Sequence, residues 1–498
     1  MKEELITFFN EYKKICNAYQ MAQSTMYYDI ATVAPQNGIP KRNECMAILA
    51  GEAFSYQMNP DHLEKLKKLY QLLDEKDDLK KELKLYFRNL EMIQFLPKDI
   101  YIDYTHTLAN SENIWHQAKE KKDYTLFRDT LVDVIQKQKD VLSYTQKKVS
   151  YYDYLLDTFQ MGLNKEKYDL FFHSIKQELL PLIKQIIKRG RTIDDSLLYQ
   201  SYDISLQEQF AVDLHQYMKV NPKECCMQTT EHPFTEFFSA HEARITTHYY
   251  TNNLKSAIFS TIHEYGHALY ALQVREEYDG TTFKNSIGSA MHESQSRLLE
   301  NHIGRHRSFW VYNYPKLQHY FPEKFNHISL DAFMDMLNAV HPSFVRTEAD
   351  ELTYPIHILI RYELEKEMFD GNIENKDLKQ MWNDKYEEYL GIRPIHDDVG
   401  ILQDIHWAGG NFGYFPTYAL GSAYAAQFYH AMEKDLDIAY LLENGQFEEI
   451  AYWLKTHIHQ YGAYYDADEI LYKATGETFN CQYYIDYLKT KYSQIYQL

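Results

Sequence analysis

The segment 261–267 contains residues whose types and spacing favour metal chemistry. His263 and His267 stand four residues apart, and Glu264 directly follows the first histidine. A four-residue step on an α-helix returns to nearly the same face, so the two imidazoles can bind one metal ion together. Glu264 lies about 100° further around the helix, where its carboxylate can accept a proton from a water on the ion. The segment therefore predicts a metal-dependent hydrolytic centre.

A third metal ligand must come from elsewhere in the chain. The H-E-x-x-H pattern is typical of zinc peptidases, but a long chain rich in His and Glu can contain it by chance. A catalytic zinc site needs three protein ligands and one open position for water. Glu293 is the first candidate, because the chain between His267 and Glu293 allows a helix end, a loop and a returning helix. Glu300, on a nearby turn, is the alternative, and either glutamate can instead be solvated.

Composition excludes several classes of partner. The chain has 498 residues, 45% of them hydrophobic, which is an ordinary globular balance. Its net charge of -19 argues against binding to nucleic acid or to an anionic membrane surface. No apolar run approaches the ~18 residues of a membrane helix, and the first residues have no signal-peptide pattern. The five cysteines lack metal-ligand spacing and suit a reducing compartment, so we expect free thiols and a cytoplasmic protein.

Most of the chain has helical periodicity. Residues 1–150 carry apolar residues at three- and four-residue steps, interrupted by a Pro- and Gly-containing break at 34–40. A second helix is expected from about residue 40 to 57, and others over 164–189 and 205–218. Helices return from residue 289 onward, and 399–416 is expected to form a structured loop followed by a helix. We find no internal repeat and no linker that would separate independent domains.

The region before the metal motif has a different pattern. Residues 243–249 are β-branched and aromatic and alternate in polarity, which predicts a strand. Arg244 lies on one face of this strand, and Ile245 on the other. Asn252 and Asn253 follow and are suitable N-caps for the helix that carries the two histidines. The sequence thus places a strand directly before the metal helix.

A series of motifs in one order resembles the carboxypeptidase Taq family of metallocarboxypeptidases. The motifs span nearly the whole chain and are jointly far more specific than the metal motif alone. In chain order they are His232-Pro233-Phe234, Arg244-Ile245-Thr246, His263-Glu264-Tyr265-Gly266-His267, His292-Glu293-Ser294-Gln295-Ser296, Arg346-Thr347-Glu348-Ala349-Asp350, Gly400-Ile401-Leu402-Gln403-Asp404-Ile405-His406-Trp407 and Gly413-Tyr414-Phe415-Pro416-Thr417-Tyr418.

The resemblance implies a fold and an activity. We expect a mostly α, two-lobed zinc-peptidase fold with a deep central groove and a small β-sheet next to the metal-binding helix. The whole chain, 1–498, is expected to be one catalytic domain, with a helical part at about 1–220, a metal-site core at about 221–420 and C-terminal helices at about 421–498. The implied activity is removal of single residues from peptides with a free C-terminus, with broad side-chain tolerance. The implied cofactor is one divalent ion per chain, zinc or alternatively cobalt, and the implied assembly is a homodimer.

The resemblance also assigns roles to residues of this chain. It implies that Glu293 is the third metal ligand, beside His263 and His267, and that Glu264 is the general base. A carboxypeptidase must bind a terminal carboxylate, for which arginine is the natural bidentate partner. The remaining candidates are Arg346 and then Arg244 as carboxylate anchors, His406 and Tyr414 as oxyanion donors with Tyr418 as the alternative to Tyr414, and His232 in substrate binding.

Each of these roles has a competing structural interpretation. Either arginine can belong to a structural ion pair, and each oxyanion candidate can be a buried hydrogen-bonded side chain. The chain also departs from the family pattern at Glu242, where the family usually has Asp. At the level of function, the alternatives are an oligopeptidase or endopeptidase of related architecture and an inactive peptide-binding relative.

Overall fold

The computed structural model describes residues 1–285, 287–371 and 377–498. Nine helices of the described chain precede a small sheet: α1 (Lys2–Thr32), α2 (Ile39–Gln57), α3 (Pro60–Leu72), α4 (Asp78–Leu90), α5 (Lys98–Lys121), α6 (Thr125–Leu142), α7 (Tyr151–Phe159), α8 (Lys165–Arg189) and α9 (Ile204–Tyr217). The strands of the sheet are β1 (Cys225–Thr229), β2 (Thr235–Ser239) and β3 (Glu242–Thr247).

Twelve further α-helices follow the sheet in the described chain. They are α10 (Leu254–Gln273), α11 (Ser289–Arg297), α12 (Arg307–Tyr320), α13 (Pro322–Phe325), α14 (Leu330–Leu337), α15 (Tyr354–Asp370), α16 (Leu378–Leu390), α17 (Phe415–Asp435), α18 (Ile438–Glu443), α19 (Phe447–His457), α20 (Ala467–Thr475) and α21 (Gln482–Tyr496). The predicted mostly helical fold with a small sheet is confirmed. All five cysteines are free thiols, as expected.

The chain divides into two compact units. The first unit comprises Met1–Gln94, Ser201–Ile287 and Gly445–Asp466, and the second comprises Phe95–Gln200, Gly288–Asn444 and Ala467–Leu498. Each unit is therefore built from separated stretches of sequence. Within the described residues, no helix combines the length and the apolar character that crossing a bilayer requires.

In the first unit, α1 packs on α3 and α4. Its buried Phe9 and Tyr12 contact a cluster that includes Leu66, Leu69 and Leu83. These residues recur at helical spacing on each helix, so one face of each is apolar and is buried against the others. The charged residues of 61–84 fall mainly on the opposite faces, which explains why a charge-rich segment still forms two stable helices.

The sheet of the first unit lies against α10. β3 is central, with β1 parallel to it on one side and β2 antiparallel on the other. The side chains of Thr247 on β3 and Ser260 on α10 are hydrogen-bonded at 2.7 Å between their hydroxyl oxygens. Asn253 caps α10 by accepting a hydrogen bond from the backbone N–H of Ser256. The predicted strand is confirmed, although it ends at Thr247 and not at residue 249, and the predicted cap and the position of the sheet beside the metal helix are confirmed.

The other two strands were not predicted from their residues. β1 is Cys-Cys-Met-Gln-Thr and β2 is Thr-Glu-Phe-Phe-Ser, each five residues long. β2 is half-buried along its whole length, so it shows no alternation of buried and exposed positions. Hydrogen-bonded pairing with β3, and not a local pattern of residue types, therefore makes these two segments strands.

In the second unit, α15 and α17 are buried on nearly all sides. Helices that are buried around most of their circumference lie in the interior of a large protein and not at its surface. Helix α8 is the element that the sequence predicted over 164–189. Its N-cap is Asn164 and its C-cap is Gly190, so the predicted bounds are confirmed.

Candidate active site

His263 and His267 project from α10 as neighbours. Their ring centroids lie 4.9 Å apart, as a four-residue step on one helix face requires. With Glu293 of α11 they form a group in which each residue offers one ligand atom, and these atoms all lie within 4.8 Å of one another. Two imidazoles and a carboxylate are a ligand set of catalytic zinc sites, so the residues present fit a divalent ion. The three ligands predicted from the sequence therefore come together.

Glu293 is held in place by its own helix. Arg297 lies four residues later, and its Nε donates to Glu293 Oε1 at 2.7 Å. The hydroxyl of Ser296 donates to the other carboxylate oxygen at 3.3 Å. Glu300, the alternative third ligand, instead accepts a hydrogen bond from Arg297 Nη1 at 3.0 Å and is not a member of the metal-binding group. Arg297 thus bridges the two glutamates and orients the one that faces the histidines.

Glu264 is buried on α10 and has a hydroxyl partner on the sheet. The Thr235 hydroxyl oxygen lies 2.6 Å from Glu264 Oε2 and 3.0 Å from the Glu264 backbone carbonyl oxygen. Thr235 is the first residue of β2, one of the strands that sequence periodicity missed. The residue that orients the candidate base therefore carried no recognisable signal in the sequence.

His406, Tyr414 and Tyr418 form an aromatic cluster in the second unit. His406 Nε2 lies 3.2 Å from the Tyr418 hydroxyl, and the Tyr414 and Tyr418 rings meet edge to face with centroids 5.2 Å apart. Burial lowers the pKa of His406 to about 4 and raises the pKa of Tyr414 to about 12. At neutral pH the imidazole is therefore uncharged and the phenol is protonated, so each carries one proton that it can donate.

Arg346 is buried and already paired with a carboxylate of the chain. Its Nε and Nη2 donate to Asp404 Oδ1 at 3.2 and 2.9 Å, and its Nη1 donates to the Tyr354 hydroxyl at 3.3 Å. Arg361 binds the other oxygen, Asp404 Oδ2, at 2.8 and 2.6 Å. Burial opposes ionisation of Asp404, but the two guanidinium groups outweigh it and hold the pKa of that carboxyl well below its usual range. The role of Arg346 as a carboxylate anchor stays a prediction.

Arg244 lies on β3 and lines a cavity of about 420 Å³ in the first unit. Its Nε donates to Glu242 Oε1 at 2.8 Å, so the longer carboxylate that departs from the family pattern still reaches it. The guanidinium also lies over the ring of Phe238, 4.5 Å from its centroid. His232 is exposed, while Phe234, two residues later, packs against Tyr27 and Tyr28.

Comparison with known proteins gives a consistent result across the whole length. A family model described as carboxypeptidase Taq (M32) metallopeptidase matches residues 8–492. The chain is 39% identical to Carboxypeptidase 1 of Bacillus subtilis over 99% of this chain and 98% of that protein. It is 33% identical to Thermostable carboxypeptidase 1 of Pyrococcus furiosus over 95% of each chain. Among solved structures, the M32 carboxypeptidase of Deinococcus radiodurans superposes with a TM-score of 0.95 at 26% identity, covering 99% of this chain and 100% of that one.

Proposed function

The chain belongs to the carboxypeptidase Taq (M32) metallopeptidase family and is a metallocarboxypeptidase, and from this we propose that it releases single C-terminal amino acids from peptides with broad side-chain tolerance. The observation that carries the proposal is the group formed by His263, His267 and Glu293. These residues would hold one divalent ion per chain, zinc in our assignment, with cobalt as the alternative. When bound, such an ion supplies Lewis acidity and a water that ionises near neutral pH.

Glu264 is the general base in this proposal. Its Oε2 accepts the hydrogen bond of Thr235, so we assign Oε1 to the proton transfer. The carboxylate takes the proton of the attacking water and passes it to the leaving amine, which cannot depart as an anion. The Thr235 bond fixes the orientation of the carboxylate for both transfers. Burial of Glu264 favours this function, because it limits exchange of the proton with solvent.

His406 and Tyr414 stabilise the oxyanion of the tetrahedral intermediate. Both carry a donor proton at neutral pH, because burial keeps the imidazole uncharged and the phenol un-ionised. Donors that are already positioned stabilise developing charge without reorganising during the reaction. Tyr418, which is hydrogen-bonded to His406, is the alternative to Tyr414.

Recognition of the peptide terminus requires a cation. We assign the α-carboxylate to Arg346 first and to Arg244 second, with His232 contributing to substrate binding. Arg346 would have to share its guanidinium between Asp404 and the substrate. Of its three side-chain hydrogen bonds to Asp404 and Tyr354, the one from Nη1 to the Tyr354 hydroxyl is the longest, at 3.3 Å. Arg244 lines the cavity of about 420 Å³ in the first unit. We further propose a cytoplasmic homodimer that does not bind nucleic acid, in keeping with the net charge of -19.

Three experiments test the proposal. Amidation of a peptide's C-terminus removes the carboxylate, so we expect cleavage to stop; undiminished internal cutting, detected by mass spectrometry, would indicate the oligopeptidase or endopeptidase alternative. The variant Glu264→Gln should retain the metal, measured by elemental analysis, and lose turnover by several orders of magnitude. Full turnover by this variant would remove Glu264 from the role of base. Protein without stoichiometric metal, and without activity after zinc or cobalt is added, would indicate an inactive peptide-binding relative.

A further inference from the structure

Glu365 of α15 is a fully buried carboxylate that makes three hydrogen bonds. Its Oε1 accepts from the indole Nε1 of Trp407 at 2.8 Å. Its Oε2 accepts from the backbone N–H of Gly413 at 2.9 Å and from the hydroxyl of Tyr152 at 2.8 Å. Among the residues that the structure describes, no cation is hydrogen-bonded to Glu365, and a buried ionisable group of this kind is costly to a fold and is often found where function needs it. Burial raises the pKa of this carboxyl to about 7.

Two of the three donors flank the proposed oxyanion residues. Trp407 directly follows His406, and Gly413 directly precedes Tyr414. A single carboxylate therefore binds both ends of the segment 406–414. The third donor, Tyr152, belongs to α7 and lies outside this segment.

The backbone at Gly413 is adapted to this contact. Its φ angle is +87°, in the left-handed region that L side chains rarely adopt. A Cβ at this position would lie 3.0 Å from the carbonyl carbon of Leu155 on α7. Only glycine fits both the conformation and the space, and in this conformation the N–H of Gly413 donates to Glu365 Oε2.

Helix α15 also holds the segment that precedes His406. Arg361, one turn before Glu365, donates to the side-chain oxygen of Gln403 at 2.7 Å and to Asp404 Oδ2 at 2.6 Å. The same helix thus contacts the catalytic segment before His406, just after it and just before Tyr414. Because α15 is buried on nearly all sides, it is a rigid support for these contacts.

We propose that Glu365 is a positioning residue for the peptidase reaction, which binds both ends of the segment 406–414 and thereby places the donor groups of His406 and Tyr414. This inference rests on the oxyanion role proposed above for those two residues. The ionised carboxylate has only acceptor atoms and receives all three hydrogen bonds, and the protonated acid can give its proton to the Tyr152 hydroxyl and still accept from Trp407 and Gly413. A glutamine of the same size presents one NH₂ group, which must face either the Trp407 N–H or the Gly413 N–H and cannot accept from either.

The test compares Glu365→Gln with Tyr152→Phe. Both variants disturb the same carboxylate, but only the first disturbs its bonds to the segment 406–414. We expect E365Q to accelerate amide hydrogen exchange in peptides that cover 406–414, to lower kcat by about 10²-fold with little change in KM, and to retain its metal. We expect Y152F to match the wild-type protein in kcat and in exchange over the same peptides.

A rescue variant separates positioning from general damage. In the double variant E365Q/W407F the indole donor is gone, so the glutamine oxygen can accept from Gly413 and Tyr152 without an opposed N–H. We expect it to recover at least tenfold in kcat over E365Q. If E365Q fails to fold, W407F alone serves, and it should increase exchange at the start of the segment and lower kcat by a smaller factor.

Each other outcome contradicts the inference. Wild-type exchange and kcat in E365Q, or equal losses in E365Q and Y152F, would show that the carboxylate has only a structural role. Faster exchange with unchanged kcat would show that placement of the segment does not matter. His406→Ala and Tyr414→Phe distinguish the oxyanion proposal from the positioning proposal. If these variants are fully active, the proposed oxyanion role fails, whereas if they are impaired while E365Q is not, only the positioning role fails.

Discussion

Gly421 of α17 packs directly against Glu293 of α11. A Cβ at Gly421 would lie 2.7 Å from both the Cβ and the Cγ of Glu293, closer than real Cβ contacts come. The absence of a side chain at residue 421 is therefore what allows the third predicted metal ligand to occupy its place. This relationship joins residues more than 100 positions apart in the chain.

The first prediction follows from that contact. Gly421→Ala should displace the Glu293 side chain and weaken metal affinity by about 10- to 100-fold, as loss of support around a ligand typically does. The measurement is the zinc dissociation constant by competition with a chromophoric chelator. The control is Gly51→Ala on α2, where a Cβ would meet nothing within 4 Å. G51A should keep its metal affinity and gain about 0.5–1 kcal/mol of stability. Equal affinities in G421A and the wild-type protein would contradict the prediction.

The second prediction concerns the hydrogen bond between Thr235 and Glu264. Thr235→Val keeps the shape of the side chain but removes the hydroxyl that lies 2.6 Å from Glu264 Oε2. We expect kcat to fall by about tenfold with KM unchanged, because the base loses its orientation and the substrate contacts remain. Thr235→Ser retains the hydroxyl and should recover most of the activity. A T235V enzyme as active as the wild-type protein would show that β2 does not orient the base.

The third prediction tests whether Glu293 or Glu300 is the third metal ligand. Removing the ion with a chelator should abolish activity, and adding zinc or cobalt should restore it. The bound ion should also raise Tm, since a ligand at 100 times its Kd stabilises the folded state by about 2.7 kcal/mol. In Glu293→Gln the ion should no longer raise Tm, whereas in Glu300→Gln it still should. The reverse pattern would make Glu300 the third ligand.

The fourth prediction concerns pH and the buried carboxylate of Asp404. Its folded-state pKa lies below the unfolded value of about 3.9, because the guanidiniums of Arg346 and Arg361 outweigh the effect of burial. The interaction of the Asp404 carboxylate with the two guanidiniums therefore contributes stability that is fully present above about pH 4 and is lost as the pH falls further. Asp404→Asn should lower stability at pH 7 by about 3 kcal/mol, because two buried guanidiniums lose a charged partner. Its Tm should then fall less than that of the wild-type protein between pH 5 and pH 3.

A surface ion pair serves as the control for Asp404. Asp384 pairs with Arg393 at 3.0 Å on an exposed face. Asp384→Asn should leave the Tm at pH 7 nearly unchanged, because solvent screens the exposed pair. Equal losses in D404N and D384N would show that the buried network does not stabilise the second unit.

Local sequence patterns were sufficient to predict the helix that carries the two histidines proposed as metal ligands. The four-residue spacing of His263 and His267 specifies a helix face, and Asn253 specifies where that helix begins. Such signals act over one or two turns, and they survive folding because helix geometry is the same in any tertiary context. The helix that ends before Gly190 was predictable for the same reason.

The role of Arg346 shows where residue type stops being informative. An arginine in a motif of a carboxypeptidase suggests a carboxylate anchor, and the sequence does not reveal that Asp404 already occupies its Nε and Nη2. Both residues stand in motifs, yet their pairing depends on how the short 3₁₀ turn at Arg346–Glu348 and the loop before α17 come together. Arg346→Ala and Arg244→Ala test which arginine binds the substrate carboxylate. Only the substitution of the true anchor should strongly raise KM for peptides with a free C-terminal carboxylate.

The sequence by itself determined the metal chemistry, the helical character and, through its ordered motifs, the family. Only the tertiary structure decided which side chains contact the proposed reactive residues and their segment: Thr235 contacts Glu264, Gly421 packs against Glu293, and Glu365 binds Trp407 and Gly413. The physical reason is the distance along the sequence over which each kind of interaction acts. Periodicity and capping depend on neighbours within a turn or two, whereas these contacts join residues tens to hundreds of positions apart, and close packing of buried helices and strands brings them together.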